Sequence, residues 1–210
     1  MSILSQLASS LNRRDEAPNI ELAEQIVNDT DEKAIQECIA LLDHKNKAIQ
    51  NDCIKVLYEV GARKPSLIST YTDTFLGLLD HKNNRLQWGA MTALNSLTLE
   101  VSKAIYEALP KIIAAADKGS VITKDHAVNI LIKLCSLETY TDDAFAILNA
   151  QLLLSPTNQL PMYAEKAIPI INTKNKIQFI QTVSSRLGEI EKETKRRRVE
   201  NVIKKINKTT

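Results

Sequence analysis

The six residues Leu-Leu-Asp-His-Lys-Asn occupy positions 41–46 and return unchanged at positions 78–83, an offset of 37 residues. A shortened copy, Ala-Ala-Asp-Lys, stands at positions 115–118, again 37 residues further on. An internal repeat of this length is typical of chains built from stacked supersecondary units. The repeat therefore predicts a fold of stacked supersecondary units.

Four columns of apolar residues continue in step with the repeat. They are Cys53, Ala90, Ala127 and Ala164; Val56, Ala93, Ile130 and Ala167; Leu57, Leu94, Leu131 and Ile168; and Val60, Leu97, Leu134 and Ile171. Within a unit the columns stand at relative positions 0, 3, 4 and 7, which places them on one face of an α-helix. The stretch before the turn shows the same spacing, so each unit is predicted to be a helix, a turn and a second helix.

A single helix pair cannot bury both of its apolar faces, so neighbouring pairs must stack into one continuous core. The pattern predicts an all-α solenoid of about six antiparallel helix pairs, forming one domain over residues 1–210. The regular repeats cover about residues 32–171, and capping units cover about 1–31 and 172–210. The first cap is predicted to pair a helix over residues 1–13 with one over 19–29. Pro110 is expected to bend the helix that contains it.

The pattern of Leu-Leu-Asp, a short polar turn, an aliphatic residue and a small residue four positions later resembles that of HEAT repeat proteins. Members of that family commonly place Arg after the aliphatic residue, whereas Gln50, Gln87, Lys124 and Pro161 stand there in this chain. The resemblance implies a right-handed superhelix of the HEAT or armadillo type. It also implies that the second helices of the pairs line a concave groove.

The exposed columns of the second helices follow from the phase of the core columns. They are Asn51, Trp88, Asp125 and Met162; Lys55, Thr92, Asn129 and Lys166; and Tyr58, Asn95, Ile132 and Pro169. The candidate binding residues on this face are Trp88, Asp125, Met162, Lys55, Asn129, Lys166, Tyr58 and Asn95. Trp88 is the single Trp of the chain, and large aromatic residues commonly anchor interfaces. The alternative is that its ring packs against the neighbouring repeat.

The charge of the chain is unevenly distributed. Residues 174–210 contain 11 basic and 4 acidic residues, whereas the whole chain carries a net charge of +2. The candidate basic patch consists of Lys195, Arg196, Arg197, Arg198, Lys204 and Lys205. Such a patch attracts phosphates, an acidic partner or an anionic surface, and the alternative is an ordinary solvated helix.

The turn residues and the cysteines are interpreted as structural residues rather than as metal ligands or reactive groups. Asp43, Asp80 and Asp117 are predicted to cap the following helices, because a carboxylate accepts hydrogen bonds from free backbone N–H groups. His44 and His81 stand one repeat apart, too far for one metal ion to bridge, so neither a metal nor a cofactor is predicted. The three cysteines, Cys38, Cys53 and Cys135, are interpreted as core thiols in a reducing compartment.

No catalytic motif stands in the sequence, so an enzyme has no support. The leading hypothesis is a non-enzymatic scaffold that binds a protein or peptide along the concave face. One alternative is a nucleic-acid-binding protein with the architecture of the HEAT-like glycosylases that excise alkylated bases. Another is a regulatory or assembly subunit that docks through its basic C-terminal helix. With no signal peptide and no membrane span, a cytoplasmic protein is expected, and a monomer is favoured.

Overall fold

The computed structural model describes residues 2–208. These residues form twelve α-helices: α1 Ala17–Asp29, α2 Glu32–Ala40, α3 Lys47–Arg63, α4 Thr72–Gly77, α5 Asn84–Leu97, α6 Ser102–Glu107, α7 Leu109–Lys118, α8 Val121–Cys135, α9 Thr141–Leu154, α10 Leu160–Ala167, α11 Lys176–Ser185 and α12 Glu193–Lys208. Short 3₁₀ turns join many of them, and no strand occurs in the described range. The all-helical prediction is confirmed, while the number of pairs stays a prediction.

The helices belong to two compact units. The first ends at Ala127 and contains α1 to α7 with the beginning of α8; the second begins at Val128 and contains the rest of α8 with α9 to α12. In the first unit, α3 packs between α1 and α5 and also contacts α2. In the second unit, α12 packs against α10 and α11. The prediction of one continuous domain stays a prediction.

The predicted core columns are buried almost throughout. Every member of the columns headed by Cys53 and Val56 is buried. In the other two columns only Ile168 and Ile171, both from the last regular unit, are partly exposed. Their exposure has a local cause, because α10 ends at Ala167 and the chain turns through a 3₁₀ segment that contains Pro169. A proline lacks the N–H that would continue the helix.

The repeated turn works through its His and Asn residues. Its Leu-Leu-Asp portion forms a 3₁₀ turn in both copies. His44 Nδ1 accepts a hydrogen bond from the Asn46 N–H at 3.0 Å, and His81 Nδ1 accepts one from the Asn83 N–H at 2.9 Å. The side chains of the two Asn residues then cap α3 and α5, accepting from the second residue of each helix.

The prediction that the turn aspartates cap the following helices was therefore wrong. Asp43 and Asp80 end the 3₁₀ turns, three residues before the capping Asn of each copy. Asp117 lies inside α7, and at the start of α8 it is Ser120 Oγ that accepts from the Thr123 N–H at 3.3 Å. The Leu-Leu-Asp pattern located the turn correctly but misplaced the helix start by one turn.

The N-terminal segment also differs from its prediction. Instead of an α-helix over residues 1–13, the described part forms a 3₁₀ helix, Ile3–Gln6, followed by turns; Met1 lies outside the described residues. Asp52 of α3 holds this segment, because its carboxylate accepts from the Ser9 N–H at 2.8 Å and from the Asn19 amide at 2.7 Å. Asn19 in turn accepts from the Ala8 N–H at 3.0 Å. Side-chain acceptors thus replace the hydrogen bonds of a regular helix.

Two further features of the helices follow from single residues. Pro110 stands at the beginning of α7, and the helix is interrupted between Glu107 and Leu109, in keeping with the predicted bend.

In the second unit, the buried Arg186 donates to the carbonyl oxygens of Leu152, Leu153 and Ser155, at 2.9, 2.5 and 3.1 Å. A guanidinium thereby satisfies the free carbonyls at the end of α9.

Candidate partner-binding site

The centre of the candidate site is an aromatic pair in the first unit. Tyr58 lies on α3 and Trp88 on α5, with ring centroids 5.8 Å apart and ring planes tilted by 45°. This tilted arrangement is one that aromatic rings favour. Tyr58 is buried, whereas Trp88 is only partly buried and keeps part of its ring in solvent. The partly exposed Trp88 therefore packs against a ring that is itself almost entirely buried.

Gly89 permits the two rings to meet. A Cβ added at this position would lie 2.6 Å from Ile54 Cγ1 on α3, closer than two non-bonded carbon atoms can approach. Ile54 is fully buried. The glycine therefore lets α5 approach α3 closely, and the neighbouring Trp88 is brought against Tyr58.

Two cations flank the aromatic pair. The Arg85 guanidinium lies 4.4 Å from the centroid of the Trp88 ring, and Lys55 Nζ lies 4.9 Å from the centroid of the Tyr58 ring. Both distances fall within the range of cation–π attraction. Each aromatic ring therefore has a positive charge next to it.

The same two cations belong to an alternating chain of ion pairs. In order along the surface, the members are Glu24, Arg63, Glu59, Lys55, Glu16 and Arg85. Lys55 Nζ lies 2.6 Å from Glu59 and 3.1 Å from Glu16. Glu16 also pairs with Arg85, so one carboxylate joins α3 to α5. Three carboxylates balance three cations, and the surface around the rings carries no net charge from this chain.

The ion pairs shift the pKa values of their members. Burial alone would raise the pKa of Glu59, but its hydrogen bonds to Lys55 and Arg63 outweigh burial and lower it. Burial alone would lower the pKa of Lys55, yet hydrogen bonds to Glu59 and Tyr58 raise it. Burial raises the pKa of Tyr58. At neutral pH Glu59 and Lys55 are therefore charged, while the phenol of Tyr58 stays neutral.

The predicted groove columns are only partly exposed. Lys55 and Tyr58 were predicted to be exposed, but they are 7% and 8% exposed. The reason is that α1 and α5 cover α3 from both sides, and Glu16 reaches over Lys55. Trp88 combines the two alternatives considered from the sequence, since its ring packs on Tyr58 of the neighbouring helix and remains partly accessible.

The other candidate positions distribute between the two units. In the first unit, Asn95 lies 3.1 Å from His126 Nδ1, and Asp125 is partly exposed. In the second unit, Lys166 Nζ donates to Asn129 Oδ1 at 3.0 Å, which joins two positions one repeat apart, and Met162 is partly exposed. A binding role for these residues stays a prediction.

The basic patch on α12 is partly neutralised inside the second unit. Arg198 binds Glu165 through two hydrogen bonds of 2.7 and 2.5 Å, and Arg197 pairs with Glu193. Lys195 donates to Asn158 at 2.6 Å, and Lys205 also has an interaction partner. Arg196 and Lys204 are exposed and form no ion pair within residues 2–208.

Sequence reasoning missed Glu16, Glu24, Glu59, Arg63 and Arg85 as parts of the site. Lys55, Glu59 and Arg63 stand four residues apart along α3, and residues at this spacing on a helix form ion pairs. The sequence could therefore have indicated the ion pairs of Glu59. The pairs made by Glu16 and Glu24 join residues 39 or more positions apart, so no local pattern could indicate them.

The remaining side-chain chemistry is limited. The three cysteines are buried free thiols, and burial raises the pKa of Cys135 to about 12. A hydrogen bond to Cys53, together with burial, raises the pKa of Cys38. Across residues 2–208 no cluster of His, Cys, Asp or Glu is arranged to hold a metal ion. In the same range no helix is long and apolar enough to cross a membrane.

Similarity to solved structures defines the fold class. An engineered protein superposes with a TM-score of 0.67 at 19% identity, covering 99% of this chain and all of that chain. A designed armadillo repeat protein gives 0.64 at 15% identity over 97% of this chain, and a designed armadillo repeat protein in complex with the peptide (KR)4 gives 0.66 at 18% identity over 98%. The chain therefore has the HEAT/armadillo-like helical repeat fold, a solenoid of helices.

Sequence comparison identifies one natural relative. An uncharacterised protein of Methanocaldococcus jannaschii is 30% identical over 121 residues, which cover 52% of this chain and 57% of that protein. The match thus spans less than two thirds of the relative. No model of a known protein family matches the chain.

Proposed function

We propose that the protein is a non-enzymatic scaffold that binds an extended segment of a partner protein on the surface formed by α1, α3 and α5. One observation carries the proposal: Trp88 contacts both Tyr58 and Arg85 and remains partly exposed. A rigid aromatic side chain loses little conformational entropy on binding, which is the property of an interface anchor.

The charge distribution favours a polypeptide over a nucleic acid at this surface. Arg63, Lys55 and Arg85 each pair with a carboxylate of the same unit. Nucleic-acid binding draws its affinity from cations that neutralise phosphates, and cations already neutralised contribute little of it. A polypeptide needs no such excess, because its own polar groups are satisfied by amides and hydroxyls such as those of Asn51 and Thr92, both partly exposed here.

The designed armadillo repeat protein that superposes on the chain is in complex with a peptide. It supports the proposal in one respect, since a fold of this kind can bind a peptide. The partner of the present chain is inferred to be a protein segment that places an apolar side chain against Trp88.

The test is selection of ligands from a random peptide display library, followed by affinity measurements on variants. We expect Trp88→Ala to weaken a selected peptide by ~30-fold or more, since truncating an anchor costs about 2 kcal/mol or more. Tyr71→Ala removes a partly buried aromatic from another surface of the same unit and serves as the matched control. Equal affinities for wild type and Trp88→Ala, with both variants folded by circular dichroism, would refute the assignment.

A further inference from the structure

A segment of the first unit carries a dense acidic charge. Residues 15–32 contain seven acidic residues and no basic one: Asp15, Glu16, Glu21, Glu24, Asp29, Asp31 and Glu32. Four of these have assigned roles, in ion pairs with Arg13, Arg63, Lys55 and Arg85 or as the cap of α2. Glu21, Asp29 and Glu32 are exposed and form no ion pair within residues 2–208. These residues, 15–32, are called the acidic segment below.

A cavity of about 250 Å³ opens beside Glu21 in the acidic segment. Leu11, Pro18 and Leu22 supply an apolar part of its wall, and Glu21 and Gln25 supply polar groups. Leu11 is 48% exposed, so its apolar side chain is accessible to a second molecule. An apolar wall with a carboxylate beside it suits a lysine or arginine side chain, whose stem is aliphatic and whose end is cationic.

The second unit presents the complementary charge on one helix. Residues 192–208, called the basic helix below, contain eight basic and two acidic residues. Val199, Val202 and Ile206 are buried against the unit, so the opposite side of α12, with Lys204, faces solvent. Arg196 and Lys204 remain exposed and outside every ion pair of the described unit. The basic helix therefore offers cations that no group in its own unit neutralises.

We infer that the acidic segment of one molecule binds the basic helix of a second copy, so that the protein associates head to tail. The net charges of the two surfaces are opposite, and on each of them part of the charge has no partner in its own unit. An arginine or lysine of the basic helix enters the cavity beside Glu21. Such a contact joins two different surfaces and is a heterologous interface, which extends into chains or closes into rings. It depends on neither Trp88 nor Tyr58.

The experiment is sedimentation velocity on the full chain over a concentration series, at about 0.01 M and about 1 M salt, where the Debye length is ~30 Å and ~3 Å. At low salt we expect the mass to rise above the 23.5 kDa of one chain as concentration increases. At high salt the association constant is expected to fall by at least tenfold, because screening weakens contacts between exposed charges. A wild-type protein that stays at 23.5 kDa at low salt overturns the inference.

Two charge-reversal variants identify the surfaces. One carries Glu21→Lys and Asp29→Lys, and the other carries Arg196→Glu and Lys204→Glu; all four positions are exposed, so folding is preserved. Each variant alone is expected to be monomeric at low salt, whereas an equal mixture associates, because each altered surface then meets its complement. Continued association of either variant alone, or a mixture that stays monomeric, overturns the inference. Selected peptides still bind both variants at Trp88 if the proposed function holds, so the two failures are distinguishable.

Discussion

The rings of Trp88 and Tyr58 are in contact. The two residues lie 30 positions apart in the sequence, which differs from the 37-residue offset of the repeat. The pair therefore joins different columns of neighbouring units, from the first turns of α5 to the middle of α3. A contact between staggered columns adds a side-chain contact between α3 and α5 beyond those of the core columns. It also fixes the direction in which Trp88 presents its exposed edge.

Gly89 is predicted to control this contact. Gly89→Ala places a Cβ about 2.6 Å from Ile54 Cγ1, and relieving that overlap should cost 1 to 3 kcal/mol, roughly the penalty of overpacking a core. Gly77→Ala is the matched control, because a Cβ there meets nothing within 4 Å. That substitution should leave stability unchanged or raise it by up to ~1 kcal/mol. Urea unfolding measures both, and equal stabilities for the two variants would contradict the close approach of α5 to α3.

The ion-pair chain predicts an acid-sensitive first unit. The pKa of Glu59 in the folded protein lies below its ordinary value of 4.5, so its contribution to stability is present above pH 4.5 and is lost as the pH falls through the folded pKa. Glu59→Gln should therefore lower the free energy of unfolding at neutral pH and flatten its decline below pH 4.5. The exposed Glu100→Gln serves as control. Parallel acid profiles for wild type and Glu59→Gln, measured by urea unfolding at a series of pH values, would exclude this role.

Arg186 is predicted to stabilise the second unit by closing the end of α9. Arg186→Ala leaves the carbonyl oxygens of Leu152 and Ser155 without the donor that satisfies them, and we expect a loss of about 3 kcal/mol. Arg197→Ala removes an exposed arginine with one ion pair along the helix and should cost less than about 0.5 kcal/mol. Thermal unfolding compares the two, and a similar small effect at both positions would rule out the clamp.

Asp52 is predicted to fix the N-terminal segment. Asp52→Ala removes the acceptor of the Ser9 N–H and of the Asn19 amide, so the segment should detach while α5 remains folded. Hydrogen exchange at the Ser9 and Ala8 amides is expected to accelerate by at least tenfold. Asp73→Ala, an exposed position on α4, is the control. Unchanged protection at Ser9 would show that other contacts hold the segment.

The sequence predicted the parts of the structure that depend on local periodicity. The relative positions 0, 3, 4 and 7 of Cys53, Val56, Leu57 and Val60 identified a buried helix face, because side chains three or four residues apart lie on one side of an α-helix. The helix starts were misplaced, since the choice between Asp43 and Asn46 as a cap depends on backbone angles rather than on residue type alone.

The burial of Lys55 could not be predicted for a different reason. The charge of a lysine normally marks an exposed position, and this lysine is buried with two carboxylates beside it, Glu59 on the same helix and Glu16 at the start of α1. Arg85 is a comparable case, since its partner Glu16 lies 69 positions away in the sequence. Long-range ion pairs of this kind leave no periodic trace, so the sequence indicated Trp88, Tyr58 and Lys55 but not the pairs that Glu16 forms around them.

The proposed partner segment lies against Trp88, which is the single Trp of the chain. Its fluorescence therefore reports on the proposed site without any label. Titration of a selected peptide that lacks Trp is expected to shift the emission of Trp88 to shorter wavelength as its exposed edge is covered, with a midpoint equal to the Kd measured independently. A peptide that binds with that Kd and leaves the emission of Trp88 unchanged would contradict binding of the partner segment at Trp88.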